Sequence, residues 1–370
     1  MPDHSLTVRK LFERSLRAAT APGVVAEWGR AGGERWRTVI GAASLTPQRI
    51  EISADTWFDL ASLTKPLVTT TLALLAFRSG ALRPSTRVGE VVREVRGSDV
   101  GDLEVEGLLS HSSGLPGWLP LYSLAEGDGR LLPARLAGVA LESAPGEQVI
   151  YSCVGFVILG LMLAEIGGER LDSMFRREVL RPLQLEDELG FHSETKTHSL
   201  CHGATEATVE HRLTAELGLD PRWLPAMTPG EPDDGNARFL GGVAGNAGLF
   251  GTARGVGSLS SEFLPGGGSL LSAEEAEAAT SRRSRGLEQA RGWGWQLAST
   301  PGCSAGEALS EGAFGHTGFT GVSVWCDPVT RGVFVLLTNR NHPAQRENDL
   351  HPLRRRFHAL AAKSLGPHTG

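Results

Sequence analysis

Strand-like text lies only near the two ends of this chain, and that placement restricts the fold more than any other feature. At the start, "GVVAEWGR" (23–30) and "RWRTVIGAA" (35–43) are joined by "AGGE", a hairpin signal between β-branched and aromatic runs. Toward the end, "GHTGFTGVSVWCDP" and "RGVFVLLTNR" read as two further strands with a turn at Asp327–Pro328. A strand leaves its backbone N–H and C=O groups unpaired unless another strand lies beside it. The economical fold therefore brings both ends of the chain into one antiparallel sheet.

Helical text fills the rest. The N-terminus carries Leu6, Leu11, Phe12 and Leu16 among charges, an amphipathic spacing, and a closing helix is expected over 352–364. Between the strand-bearing ends, helices are expected at 132–141, 156–166 and 171–180, with the glycine-rich loop "LGGVAGNAGLFGTARGVG" after them. The expected class is α+β: an antiparallel sheet flanked by helices and interrupted by a mostly helical insertion. Its two parts are 1–82 with 284–370, and 83–283, and a site is expected in the cleft between them.

Bulk properties exclude several functions. A formal net charge of −6 disfavours a nucleic-acid partner, which would ask for a basic stripe. Cys153, Cys201, Cys303 and Cys326 lie too far apart for a zinc ribbon or a disulfide framework. His198 and His202 have ligand-like spacing, but no carboxylate pairs with them and they read as surface residues, so no metal is expected. The longest apolar runs, 67–77 and 154–166, are too short to span a bilayer, and the N-terminus lacks a signal-peptide core. The expectation is a cytoplasmic protein acting on a small molecule; oligomeric state leaves no trace in the sequence.

One stretch stands apart: "DLASLTKPLVTTTLALLAF" (59–77), in a chain with four lysines against 32 arginines. A helix is expected over 64–79, with Pro66 tolerated in its first turn and Gly80 as its C-cap. Ser62 and Lys65, three apart, would share one face at the helix start, where backbone N–H groups favour developing negative charge. A serine hydroxyl needs a base, and burial lowers a lysine pKa toward neutrality, so Lys65 could be that base. Taken alone, S-x-x-K also arises by chance, with the serine capping the helix and the lysine reaching solvent.

Its company in the sequence decides. Tyr151 follows the turn "APGEQ" in "YSCVGFVILG", and His316-Thr317-Gly318 opens the strand "GHTGFTG". With Ser62-x-x-Lys65 these motifs resemble those of the class C β-lactamase and penicillin-binding-protein-like serine hydrolase superfamily, which includes DD-peptidases, D-aminopeptidases and family VIII carboxylesterases. "FDLASLTK", "LLSHSSGLPGW", "APGEQVIYS", "NAGLFGTA" and "DPVTRGVFVLLTNR" extend the resemblance along most of the chain. It implies a β-lactamase/transpeptidase-like fold with Ser62 as nucleophile and Lys65 as its activator. Tyr151 would share the base role with Lys65 and help activate water in deacylation. The oxyanion hole would be the backbone N–H groups of Ser62 and Phe319, and His316, Thr317, Gly318, Cys153 and Asn339 would lie near the substrate.

The departures carry information too. Cys153 stands where lactamases and peptidases commonly place asparagine, and a thiol lacks the amide's paired donor and acceptor. His316 stands where lactamases usually place lysine, giving up a fixed positive charge for a mostly neutral ring. In "EPDDGNARFLGGVAGNAGLF", Asp233 and Asn246 occupy places that related chains give to histidine, whereas Asp234 and Asn236 match; the plain reading is a loop held by Asp and Asn side chains. His111 reads as a structural residue at the cleft mouth. These features favour a serine hydrolase forming an acyl-enzyme on Ser62, on small esters or D-amino-acid-type amides, without a cofactor. The alternatives are a β-lactamase or DD-carboxypeptidase and, in another class, a catalytically silent binding protein.

Overall fold

The computed structural model describes residues 4–18, 20–191, 199–228 and 230–366. Its strands are β1 (Gly23–Arg30), β2 (Arg35–Ser44), β3 (Ile50–Glu51), β4 (Phe58–Asp59), β5 (Leu189–Phe191), β6 (Leu249–Gly251), β7 (Gln296–Leu297), β8 (Phe314–Thr317), β9 (Ser323–Asp327) and β10 (Gly332–Thr338). Seven of them form one sheet in the order β3-β2-β1-β10-β9-β8-β7, every pairing antiparallel. β1 lies against β10, with Val25 opposite Leu337, so the two chain ends do share one sheet.

Alternation along the central strands builds two cores. Val24, Ala26 and Trp28 of β1 and Phe334 and Leu336 of β10 pack with Phe12, Phe357 and Ala361 of the terminal helices, His4–Arg17 and His351–Leu365. Val25, Val333, Val335 and Leu337 face the other way, into the large core that also takes in the helix Cys153–Gly167. The helix Ala253–Ser261 covers this second face through Val256 and Leu259, touching β1, β9 and β10. This helix, from the stretch 83–283, thus packs its apolar side on the sheet's inner face.

Several element boundaries differ from expectation for local reasons. The expected single strand around 315–328 is two strands, β8 and β9, because the chain reverses between them: Gly318 N–H donates to Val322 O at 2.8 Å, and Gly321 takes φ 102°. The helix expected at 132–141 stops at Leu136, where the bonds tighten to an i→i−3 pattern before Gly138 and Val139. The helix expected at 171–180 continues to Leu183, with a π-helical turn at Arg176–Leu180. A second sheet, β4-β6-β5, went unforeseen, its strands being too short for alternation to show.

The segment holding Ser62 is also irregular. Ala61–Leu63 forms one 3₁₀ turn, Lys65–Thr70 a π-helical turn, and a regular helix runs only over Thr71–Ser79, closed by Gly80 at φ 75°. All four cysteines are free. His198 lies outside the described residues, among which no cluster of His, Cys, Asp or Glu is set to hold a metal and no helix is long and apolar enough to cross a membrane.

Candidate active site

β4 delivers the chain to Ser62 under tight control. Asp59, buried, accepts N–H groups from Ala61 at 2.8 Å and from Asp233 at 2.7 Å, so one carboxylate ties the serine turn to the segment across the cleft. Ala61 is held at φ 45°, an unfavourable value for a residue with a Cβ, and Ser62 follows directly. Burial, opposed by those two hydrogen bonds, raises the Asp59 carboxyl to about 7. Thr64 clamps the turn's other side, donating its hydroxyl to Ala61 O at 2.7 Å and accepting Leu249 N–H at 3.1 Å.

Ser62 and Lys65 meet as the spacing predicts. Lys65 Nζ donates to Ser62 Oγ at 3.0 Å and to Asn246 O at 3.0 Å, and the lysine is wholly buried. The carbonyl comes from the glycine-rich loop, which gets this close because Gly245 has no side chain: a Cβ there would lie 2.1 Å from Phe156 O. The plain reading of that loop was therefore incomplete, since its backbone is a direct partner of the lysine. Asp234 braces it, accepting Asn246 Nδ2 at 3.0 Å and Ala237 N–H at 2.7 Å.

Burial, the largest influence on Lys65, pushes its pKa down; Cys153 and Tyr151 in their ionised forms, with Asp234, push it up, and the balance raises it. Tyr151 is raised as well, by burial first, against the opposing pull of Lys65. Tyr151 and Lys65 are therefore coupled: an ionised phenol holds the ammonium, and a neutral phenol leaves burial to lower the lysine, so either can supply the base.

Tyr151 is fixed by His111. Ile150 N–H donates to His111 O at 2.9 Å, Ser152 N–H donates to His111 Nδ1 at 3.0 Å, and the two rings lie 4.6 Å apart. His111 is therefore a buried clamp beneath the tyrosine rather than a residue of the cleft mouth. Burial and the nearby Arg291 and Lys65 hold it well below its ordinary pKa, so it is neutral. Ser152 caps the following helix, accepting Gly155 N–H at 3.0 Å. The Tyr151 hydroxyl is buried, and the Lys65 and Ser62 side chains beside it oppose the rise that burial causes.

The third motif arrives on β8. His316 donates Nδ1–H to Thr317 O at 2.8 Å, leaving Nε2 as an unpartnered acceptor, and its ring lies 5.6 Å from Tyr151. Burial, then Lys65 and Arg291, lower its pKa well below the ordinary value, so it stays neutral through the physiological range. Gly318 follows because the strand passes so near the serine turn: a Cβ would sit 2.9 Å from Leu60 O and 3.2 Å from Ala61 Cβ. Phe319 N–H, next along, has no backbone acceptor among the described residues.

Ser62, Tyr151, Cys153, His316, Thr317, Gly318 and Phe319 all line one cavity of about 490 Å³. Asn339 does not. Its Oδ1 accepts Gly23 N–H at 2.8 Å and its Nδ2 donates to Ala42 O and Ala43 O, each at 3.2 Å, which makes it a staple between β1, β2 and the end of β10. Asn236 is likewise structural, bonded to Leu121 N–H and Leu119 O. Three buried arginines on the wall, Arg291, Arg340 and Arg354, left no sequence signal, since each reaches the cavity from a different segment. None has a carboxylate within 4.0 Å among the described residues, and burial lowers Arg291 to about 10 and Arg354 to about 9, still cationic at neutral pH.

Known proteins share this fold. The profile of the family described as Beta-lactamase matches residues 8–359. Curated relatives include an Escherichia coli K12 protein named "Putative D-alanyl-D-alanine carboxypeptidase", 28% identical over 326 residues, covering 80% of this chain and 72% of its own. A Salmonella enteritidis protein of the same name is 27% identical over 328 residues, covering 81% of this chain and 73% of its own. Among solved structures, EstCE1, "a hydrolase with promiscuous acyltransferase activity", superposes with a TM-score of 0.74 at 21% identity, covering 96% of this chain and 99% of its own. A penicillin-binding protein homologue from Caulobacter crescentus gives 0.73 at 22%, covering 98% of each chain. The chain belongs to the Beta-lactamase family and is a serine hydrolase on that family's fold.

Proposed function

We propose that the protein hydrolyses small esters or D-amino-acid-type amides through an acyl-enzyme on Ser62. The observation that carries this is the 3.0 Å bond from Lys65 Nζ to Ser62 Oγ, inside a buried polar site that opens on the cavity. Ser62 attacks the acyl carbon, Tyr151 or Lys65 takes its proton, and the same group returns a proton to the leaving group. The Ser62 and Phe319 N–H groups are the proposed oxyanion donors; one such donor is worth about 3 kcal/mol in a preorganised site. Thr317 and Gly318 form the rail along which the substrate lies.

Cys153 and the neutral His316 favour esters and D-amino-acid amides over lactams. A second reading, a DD-carboxypeptidase, is favoured by Arg340 and Arg354 on the wall, which donate to backbone carbonyls and have no carboxylate partner among the described residues, and by the names of the curated relatives. A panel of p-nitrophenyl esters, D-alanine p-nitroanilide, a D-Ala-D-Ala peptide and a chromogenic cephalosporin separates the readings. Ester or D-amino-acid anilide turnover that vanishes in Ser62→Ala is expected. Faster peptide or cephalosporin turnover would replace the first reading, and no turnover of any would favour the silent binding protein.

A further inference from the structure

Two cations that have no carboxylate partner among the described residues converge on one phenol. Lys65 Nζ lies 5.1 Å from the centre of the Tyr151 ring, and the Arg291 guanidinium lies 5.5 Å from it. Arg291 comes from the segment just before β7, far from the three motifs in sequence. It is buried, its NH2 group donates to Gln289 Oε1 at 3.1 Å, and its Nε has no hydrogen-bond partner among the described residues. A buried guanidinium with so few partners is costly, and the ring of Tyr151 is one compensation this structure offers.

The remaining groups around the phenol add no opposing charge. His111 from the loop below and His316 from β8 are neutral, and Cys153, the first residue of the helix that follows the tyrosine, has its thiol pushed up by burial. Asp234 acts on Lys65 and Cys153 from across the loop, with both its oxygens engaged by Asn246 and Ala237. We propose that Arg291 is a positioning residue for Tyr151: together with Lys65 it brackets the ring and stabilises the phenolate that accepts the Ser62 proton. The inference rests on the reading of Tyr151 as base. In the step concerned, the Ser62 oxygen forms its bond to the acyl carbon as its proton passes to the phenolate oxygen. The leaving group then takes that proton as its own bond to the acyl carbon breaks.

The chain has only two tyrosines, which makes the test direct. Tyr122, buried and bonded to Thr214 Oγ1 at 2.7 Å, is raised by burial and serves as the internal reference. Protein labelled with ¹³C at the tyrosine ζ-carbon is titrated by NMR as wild type, Arg291→Gln and Arg291→Lys, and kcat/KM is followed over the same pH range. Removing a unit charge at this distance is expected to move the Tyr151 midpoint up by about one to two pH units. The acid limb of kcat/KM should move with it, lowering the rate at a fixed pH on that limb at least about 10-fold, whereas Arg291→Lys keeps the wild-type midpoint.

An unmoved Tyr151 midpoint in Arg291→Gln overturns the proposal, as does a wild-type Tyr151 that stays phenolic throughout the titration. An Arg291→Lys midpoint displaced as far as that of Arg291→Gln also overturns it, because charge would then not be the cause. Loss of the Tyr122 reference position marks a misfolded Arg291→Gln, and the Arg291→Lys comparison then decides. Absence of turnover in the wild type would instead remove the hydrolase reading, while the NMR midpoint still reports on Arg291.

Discussion

At residue scale the pair Ser62–Lys65 was legible, and the charge on Lys65 was not. Spacing placed the two side chains together; the sum of burial against Tyr151, Cys153 and Asp234 could be read only once the glycine-rich loop was seen to close over them. Lys65→Met, similar in shape and uncharged, is expected to lower ester kcat/KM at least about 10³-fold, and because the fold raises the lysine's pKa, Tm should fall rather than rise. Calorimetry and initial rates check this, and a Tm above that of the wild type would mean that the fold does not stabilise the ammonium. The same charge inventory sets a pH dependence. Because Lys65 and Tyr151 are both held above their ordinary values, kcat/KM is expected to climb steadily from neutral pH into the alkaline range, and a plateau already reached below pH 7 would contradict that inventory.

At the scale of elements, the sequence reading failed where backbone met backbone. Gly318 was seen as part of a motif, but its physical reason is the close passage of β8 past the serine turn. Gly318→Ala must push the strand off Leu60 and Ala61, and about a 10²-fold loss of kcat/KM is expected from so small a methyl. Asn339 shows the opposite error: a polar residue at a strand end looked like a substrate contact and is a staple. Asn339→Ala strands three backbone partners between β1 and β2, so a stability loss of about 3 kcal/mol is expected in denaturant melts, with kcat/KM changed less than about threefold. A large kcat/KM effect with unchanged stability would return Asn339 to the site. The short strands β4, β5 and β6 and the π-helical turn at Lys65–Thr70 had no periodic signal to read, because tertiary contacts impose them.

At the scale of the whole molecule, the meeting of the two chain ends in one sheet followed from where the strand-like text lay. What closes the cavity was hidden. Asp59, Asp233 and Glu210 are buried acids that join the serine turn to the far wall, and burial raises Asp59 to about 7 and Glu210 to about 8 despite Arg238 beside it. Folding therefore retains protons that the unfolded chain has already lost above about pH 4. Stability contributed by these groups is complete below that pH and is lost as pH rises through about 7 and 8, so Tm is expected to fall between pH 5 and 9. Glu210→Gln should flatten that slope, and an unchanged slope would mean that its carboxyl is ionised in the fold.

The most direct test of the central claim is the intact mass of the protein after a fluorophosphonate, with the adduct mapped by peptide sequencing and Ser62→Ala treated alongside. One adduct per chain is expected, on Ser62, forming faster as the pH is raised and absent from Ser62→Ala. An adduct elsewhere, or the same adduct in Ser62→Ala, would contradict it.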